Sequence, residues 1–393
     1  MSKLILVTNP GSASRKYALY EDNKLRANLH FEYEDDKPVC TAILPTGEKK
    51  PVSLTINDIA ESAGECERVL REVGAITETE KIDVVAARLL VASSYFDHDM
   101  LVSDEVLAEA EKAKDRSPLH TATHLAEIQF FKQKFPNLPV VAVSDNAFHA
   151  TKPIEAFRYG VSIDLQKKLD LGRFGYHGIS VSSIVEIMKR ERILPGKIIV
   201  CHLGSGASIS AVKNGVSVDN SMGYTPLEGM MMATRSGNID PAAALAIKRE
   251  LGLDDAGLEK YLNKEAGLLG MTAKSDDMRI VLADEQAGGE QATEAMATYL
   301  YRVRKVIGEM AAALNGVDAI VFTATVGERA TDIRRRLCTE LTYLGFELDD
   351  AKNAQANSAP IYANLAKDGA KPIYMIRTDE TGEMARRTLL ILG

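Results

Sequence analysis

The chain has 393 residues, 26% of them charged and 46% hydrophobic. That composition is ordinary for a globular enzyme, and the length suits two domains with sizeable cores. A net charge of −8 argues against nucleic acid or an anionic membrane as the main partner, although it leaves room for a local basic pocket that takes an anionic substrate. No apolar run approaches the ~18 residues of a membrane span. The start MSKLILVTNPG runs straight into a short strand without the apolar core and cleavage site of a signal peptide, so a cytoplasmic location is expected. Cys40, Cys66, Cys201 and Cys338 show neither CxxC nor Cys/His ligand spacing and read as buried free thiols.

The first predicted element is a hairpin over Lys3 to Leu19 (KLILVTNPGSASRKYAL), an aliphatic run, a Gly/Ser turn and a returning run. The same arrangement recurs at Gly196 to Val212 (GKIIVCHLGSGASISAV), where Val7 matches Val200, Gly11 matches Gly204, Ser12 matches Ser205 and Asn9 stands opposite His202. Glycine in such a turn lets backbone N–H groups face a phosphate. A repeat half the chain apart suggests two similar halves across a cleft.

Between the hairpins, Lys24 to Leu54 reads as meander strands and residues 57 to 74 as a helix stopped by Gly74. Ile82 to Ser94 reads as a buried strand carrying Arg88, and residues 119 to 135 as a helix ended by Pro136. The segment LPVVAVSD is a strand with Asp145 at its carboxyl end, the place where open α/β sheets collect ligands. Helices follow at 180 to 192, 241 to 252 and about 289 to 315. The strand DAIVFTATVGE, a basic helix RATDIRRRLCTELTYLG, the strand KPIYMIR and a helix through MARRTLLIL complete an α/β chain with mixed sheets. The boundaries this implies are 1 to 150, joined by the last helix at about 381 to 393, and 151 to 380.

Several residues carry chemistry with two readings each. Arg88 inside an apolar strand must meet an anion or a structural carboxylate partner. Arg235, in Arg-Ser-Gly before a proline-started helix, is an anion ligand or a solvated loop residue. His177, flanked by glycines in FGYHGIS, meets a ligand or sits satisfied in the core. His120 and His124 lie four apart on one helix face and read as structural, and Met230 to Met232 as core filler. Asn9, Asp145 and Glu380 either share one hard cation or serve as caps.

In combination these segments resemble the acetokinase family, of the superfamily that also holds sugar kinases, actin and the heat-shock chaperone ATPases. The most specific stretches are Asn220–Gly229 (NSMGYTPLEG) and Met232–Pro241 (MATRSGNIDP). Ser144–His149, Phe174–Gly178, His202–Ser208, Gly267–Gly270 and Asp277–Arg279 add to them. The resemblance implies two RNase H-like (actin-like ATPase) domains with mixed sheets facing a central cleft. It implies acetate kinase activity, with Mg²⁺ (or Mn²⁺) required, ATP/ADP as co-substrate and a homodimer. It places Arg88, Asp145, His177 and Arg235 in catalysis and Asn9 and Glu380 near the metal. Leu90, Leu119, Tyr176 and Pro226 would line the pocket for a small carboxylate. Ser14, Lys16, His202, Gly204, Ser205, Gly206, Asp277, Met278, Arg279, Thr325, Val326, Gly327 and Arg329 would bind the nucleotide and its phosphates.

Departures mark where specificity is open. The family's His-Arg-Val-Val-His-Gly-Gly is here Ala87 to Ser93 (ARLLVAS), which keeps only the arginine of its polar residues. Tyr176 stands for phenylalanine, Val181 for a histidine and Ser205 for asparagine. The adenosine loop Gly-Ile-Gly-Glu-Asn becomes Thr325 to Arg329 (TVGER), where a β-branched threonine is expected to crowd the purine. A different acyl acceptor, a donor such as pyrophosphate, or a silent scaffold remain alternatives.

Overall fold

The computed structural model describes residues 2–11, 14–116 and 118–393, and at 115 and 118–120 the backbone alone. Ser12 and the side chains of Leu119 and His120 lie outside the described residues. The chain divides into two units, Met1–Phe148 with Asp379–Gly393, and His149–Thr378.

The first unit holds an eight-stranded sheet. Strands β1 (Leu4–Pro10), β2 (Ser14–Glu21), β3 (Lys24–Glu34), β4 (Lys37–Ile43) and β5 (Lys49–Val52) form an antiparallel meander. On the other side of β1 lie β6 (Val84–Leu89) and β8 (Val140–Ser144), both parallel to it in direction, with β7 (Met100–Leu101) antiparallel at the edge. Alternation in β3, with Ala27, Leu29 and Phe31 inward, packs that face on Val69 and Leu70 of the helix Ser62–Glu72. Burying each such Leu, Val or Phe contributes about 1.5–3 kcal/mol.

The second unit repeats the plan in six strands: β9 (Lys197–Leu203), β10 (Ala207–Lys213), β11 (Val216–Asn220), β12 (Ala319–Thr323), β13 (Tyr362–Asn364) and β14 (Ile373–Ile376). The order β3-β2-β1-β6-β8 in one sheet corresponds to β11-β10-β9-β12-β14 in the other, antiparallel pairs giving way to three parallel strands in both. The two hairpins start in step, Leu4 with Lys197 and Ser14 with Ala207. The sequence repeat is therefore a structural repeat, and each unit has the RNase H-like plan of the actin-like ATPases.

Three expectations need correction. The strand through Arg88 stops at Leu89 rather than Ser94, because its neighbour β8 ends at Ser144 and the ladder has no partner beyond it. The run DAIVFTATVGE is not one strand: β12 ends at Thr323 and Ala324–Arg329 is helical. Glu328 drives that change by reaching back to accept a bond from the Ala324 amide at 3.0 Å. The basic helix ends at Thr339, with a separate turn at Thr342–Leu344. A helix at Asp104–Ala113, which the sequence reading leaves unassigned, is capped by Ser103 on the Val106 amide. No described helix is long and apolar enough to cross a membrane.

Candidate functional site

In the first unit the parallel register determines what meets at the carboxyl end of the sheet. Thr8 pairs with Ala87, and Leu89 with Ser144, so Asn9, Arg88 and Asp145 come to adjacent strand ends. Arg88 donates from Nη2 to Asp145 Oδ2 at 3.1 Å and from Nη1 to Asn9 Oδ1 at 3.0 Å. Asn9 Nδ2 donates to Glu380 Oε2 at 2.8 Å, and that carboxylate lies 3.8 Å from the guanidinium. Burial alone would lower the Arg88 pKa, but the Asp145 and Glu380 carboxylates outweigh it and hold the group firmly cationic. Glu380 opens the helix Glu380–Leu392, which Arg387 fastens by a bidentate pair to Asp99 at 2.8 and 2.6 Å and a bond to the Ser144 carbonyl at 2.9 Å.

Around this network the sheet presents further groups. Lys16 pairs with Asn9 in the β1–β2 ladder and is exposed, with Ser14 at the start of β2, where the Gly11 amide bonds its carbonyl at 2.9 Å. Leu90 is buried, two residues beyond Arg88. His124 is buried beneath the strand ends, and burial with the neighbouring Arg88 charge pushes it down to about 3.

In the second unit the hairpin β9–β10 carries the Gly/Ser turn. Gly204 N bonds Gly206 O at 3.1 Å, and the Ser205 carbonyl accepts from Ala233 N at 3.2 Å. A Cβ on Gly206 would stand 3.2 Å from Arg235 Nη1 and 3.4 Å from His177 Nε2, so the turn, the arginine and the histidine share one locus. His177 takes a left-handed conformation (φ 59°) ahead of the helix Gly178–Arg190 and meets Ser208 Oγ through Nδ1 at 2.9 Å. Its ring stacks on His202 at 4.0 Å, and His202 Nδ1 is 2.8 Å from Ser180 Oγ. Burial lowers Arg235 to about 10, which leaves it cationic at neutral pH. Gly267, at φ +66°, approaches the Met232 carbonyl and the Arg235 backbone too closely for any side chain, so its family-pattern position has a steric cause.

A cavity of about 660 Å³ opens beside the turn. Gly204, Ser205, Asp277, Met278, Arg279, Thr325, Val326 and Arg329 line it, together with Tyr299 and Asp332. Thr325 sits on the helix Ala324–Arg329 and leaves the cavity open at a size that suits a nucleoside. Gly327 is buried in that helix. Asp277 caps the helix Met278–Gln286 on the Arg279 amide and pairs with the Arg279 side chain.

Tyr176 and Pro226 are buried, and the Tyr176 hydroxyl donates to the Tyr224 carbonyl at 2.6 Å. The extra oxygen of this tyrosine therefore anchors the 224–228 segment. Asn220 ties the same region together, donating to Ser210 Oγ at 2.8 Å and accepting from the Met222 amide at 2.9 Å. The three methionines 230–232 are core residues, and all four cysteines are buried free thiols. Sequence reasoning assigned no role to Ser208, Ser180 or Arg334; a small polar residue on a strand or one arginine in RRR carries no signal of its partner.

The family model of the acetokinase family matches residues 4–386. The chain belongs to the acetokinase family. An acetate kinase from Lachnoclostridium phytofermentans is 38% identical, covering 98% of this chain and 99% of the relative. Among solved structures, Porphyromonas gingivalis acetate kinase matches with a TM-score of 0.87 at 32% identity, over 100% of both chains. A propionate kinase from Francisella tularensis subsp. tularensis matches with a TM-score of 0.88 at 32% identity, over 98% of both.

Proposed function

We propose that this protein is an acetate kinase, transferring the γ-phosphoryl group of ATP to acetate to give acetyl phosphate and ADP, reversibly. The observation that carries the reading is the meeting of His177, Arg235 and the Gly204–Gly206 turn beside an open cavity of nucleoside size.

Acetate is ionised at neutral pH, as carboxyl groups with pKa values near ~4 are, so attack on phosphorus needs no general base. One carboxylate oxygen forms the new P–O bond while the bond to the bridging oxygen of ADP breaks, and no proton changes hands. Catalysis then rests on alignment and on charge carried by the equatorial oxygens. Arg88 and Arg235 supply fixed cations for the carboxylate and the phosphoryl group. His177 adds a donor at Nε2 when Ser208 hydrogen-bonds Nδ1. Asp145 acts as an orienting carboxylate, its contact to Arg88 making it a poor base. The resemblance to the acetokinase family assigns Leu90, Tyr176 and Pro226 to the methyl group of the substrate.

Asn9 and Asp145, at adjacent strand ends, and Glu380, at the start of the last helix, would offer oxygen ligands that suit a hard cation bound through one or two carboxylates, waters and phosphate oxygens. Mg²⁺ held there would neutralise charge on the phosphates. Asn9 Oδ1 and Asp145 Oδ2 already bond Arg88, so these residues serve the ion best through its water shell. The reading extends to a homodimer and, from the four free thiols, to a reducing cytoplasm.

The purified protein, given Mg²⁺ and acetate, is expected to form acyl phosphate with ATP, trapped as the hydroxamate. Turnover with pyrophosphate and none with ATP would overturn the donor assignment. Turnover with propionate alone would move the acceptor, and silence with every acid and donor would favour a scaffold.

A further inference from the structure

The helix Pro118–Lys134 should bury an apolar stripe against the sheet, yet three of its buried positions are polar. Thr121, His124 and Glu127 follow one another at i, i+3 and i+6, all on one face. Each grips the strand ends that carry the site. Thr121 Oγ1 donates to the Leu90 carbonyl at 3.1 Å. His124 Nδ1 faces the Leu90 amide at 3.2 Å and Nε2 faces the Pro10 carbonyl at 3.2 Å. Glu127 accepts from Thr8 Oγ1 at 2.7 Å and from Arg15 Nη1 at 2.5 Å.

The partners of His124 fix its tautomer. A backbone amide only donates and a carbonyl only accepts, so Nδ1 is the acceptor and Nε2 carries the proton. One imidazole therefore joins the residue after Asn9 to the residue two beyond Arg88. With Thr121 it takes both backbone polar groups of Leu90, which stands past the end of the ladder where no neighbouring strand supports it.

We propose that His124, assisted by Thr121, is a positioning residue that sets the spacing of Asn9 and Arg88 and the placement of Leu90, and so governs engagement of the carboxylate substrate. The inference rests on the acetate kinase reading for its kinetic consequence, and on the clasp geometry alone for its structural one.

The test compares wild type with His124→Leu, which removes both bonds, His124→Gln, whose amide offers an acceptor and a donor, and Thr121→Val. Amide hydrogen exchange at Leu90 and the KM values for acetate and ATP are read at a temperature well below each unfolding midpoint. His124→Leu is expected to expose the Leu90 amide to exchange and to raise the acetate KM roughly tenfold, leaving the ATP KM within about twofold. Thr121→Val should shift the acetate KM in the same direction by less, and His124→Gln should restore most of both readouts. Leu90 exchange in His124→Leu equal to wild type overturns the clasp, whatever the turnover. Faster exchange with acetate and ATP KM values rising together, or with neither changing, overturns the positioning role. Absence of acetate turnover in wild type overturns the functional reading instead, and the exchange data still decide the clasp.

Discussion

Arg88 and Asp145 form a 3.1 Å ion pair across neighbouring parallel strands, with Asp145 fully buried and the Arg88 side chain 16% exposed. Replacing Arg88 with alanine strands the Asp145 carboxylate without that cation. We expect the variant to lose about 3–5 kcal/mol of stability and about 10³-fold or more in kcat. Denaturant unfolding and hydroxamate trapping measure the two losses. The double variant Arg88→Met, Asp145→Leu should recover stability and none of the activity.

At Gly206 the turn passes close to the Arg235 and His177 side chains. Gly206→Ala places a methyl group 3.2 Å from the arginine, which must give way by a few tenths of an ångström, and 3.4 Å from the histidine, an ordinary contact. A displacement of under an ångström at phosphoryl-binding groups should lower kcat by about 10- to 100-fold. The thermal midpoint should move little, because the turn bonds are backbone to backbone.

Lys152 is buried and donates to the Arg173 carbonyl, and burial lowers its pKa from 10.5 to about 8. The unfolded chain therefore holds this proton more tightly than the folded one between about pH 8 and 10.5. In that window the unfolded state binds more protons, so the Lys152 contribution to stability rises with pH. Below about pH 8 the burial cost is fully present. Lys152→Met should be more stable than wild type near neutral pH if the carbonyl finds another donor, and in every case its unfolding free energy should lack the rise above pH 8. Denaturant titrations from pH 7 to 10 give the comparison.

Arg334 is fully buried and holds the carbonyls of Gly327 (2.8 Å) and Glu328 (2.7 Å) and Asn353 Oδ1 (2.8 Å). It thus caps the helix that walls the cavity with Thr325, Val326 and Arg329. Arg334→Leu leaves these acceptors unsatisfied at about 1–3 kcal/mol each. We expect a lower thermal midpoint and a raised KM for ATP, with the acetate KM close to wild type.

Tyr176 donates to the Tyr224 carbonyl at 2.6 Å in a fully buried setting. Tyr176→Phe should cost about 1–2 kcal/mol in unfolding free energy. It should also loosen the segment carrying Pro226, seen as a change in the ratio of kcat/KM for acetate over propionate.

The hairpin repeat was legible in the sequence because a glycine turn between two aliphatic runs is a local signal, and β1–β2 and β9–β10 follow it in step. Arg88 was legible as well, since a guanidinium inside VVAARLL demands a partner. What remained hidden depends on long-range pairing. Nothing local in TATVGER distinguishes strand from helix, and the Glu328 and Arg334 side chains reach an amide and carbonyls of the helix that carries Thr325. Thr325, read in the sequence as part of a strand and loop, lies on a helix and lines the cavity. His124 read as structural, and only the register of β1 against β6 reveals that it joins Pro10 to Leu90.

Asn9 meets Glu380 across 371 residues of chain. The first unit begins with the strand that carries one partner and ends with the helix that carries the other, and the whole second unit is threaded between them. During synthesis, at ~5–20 residues per second, the second unit has all of its own strands before the first has its Glu380 or the Arg387 clamp on Asp99. A nascent chain therefore holds Arg88 and Asp145 beside an open seat for tens of seconds, and the kinase is armed by its final helix.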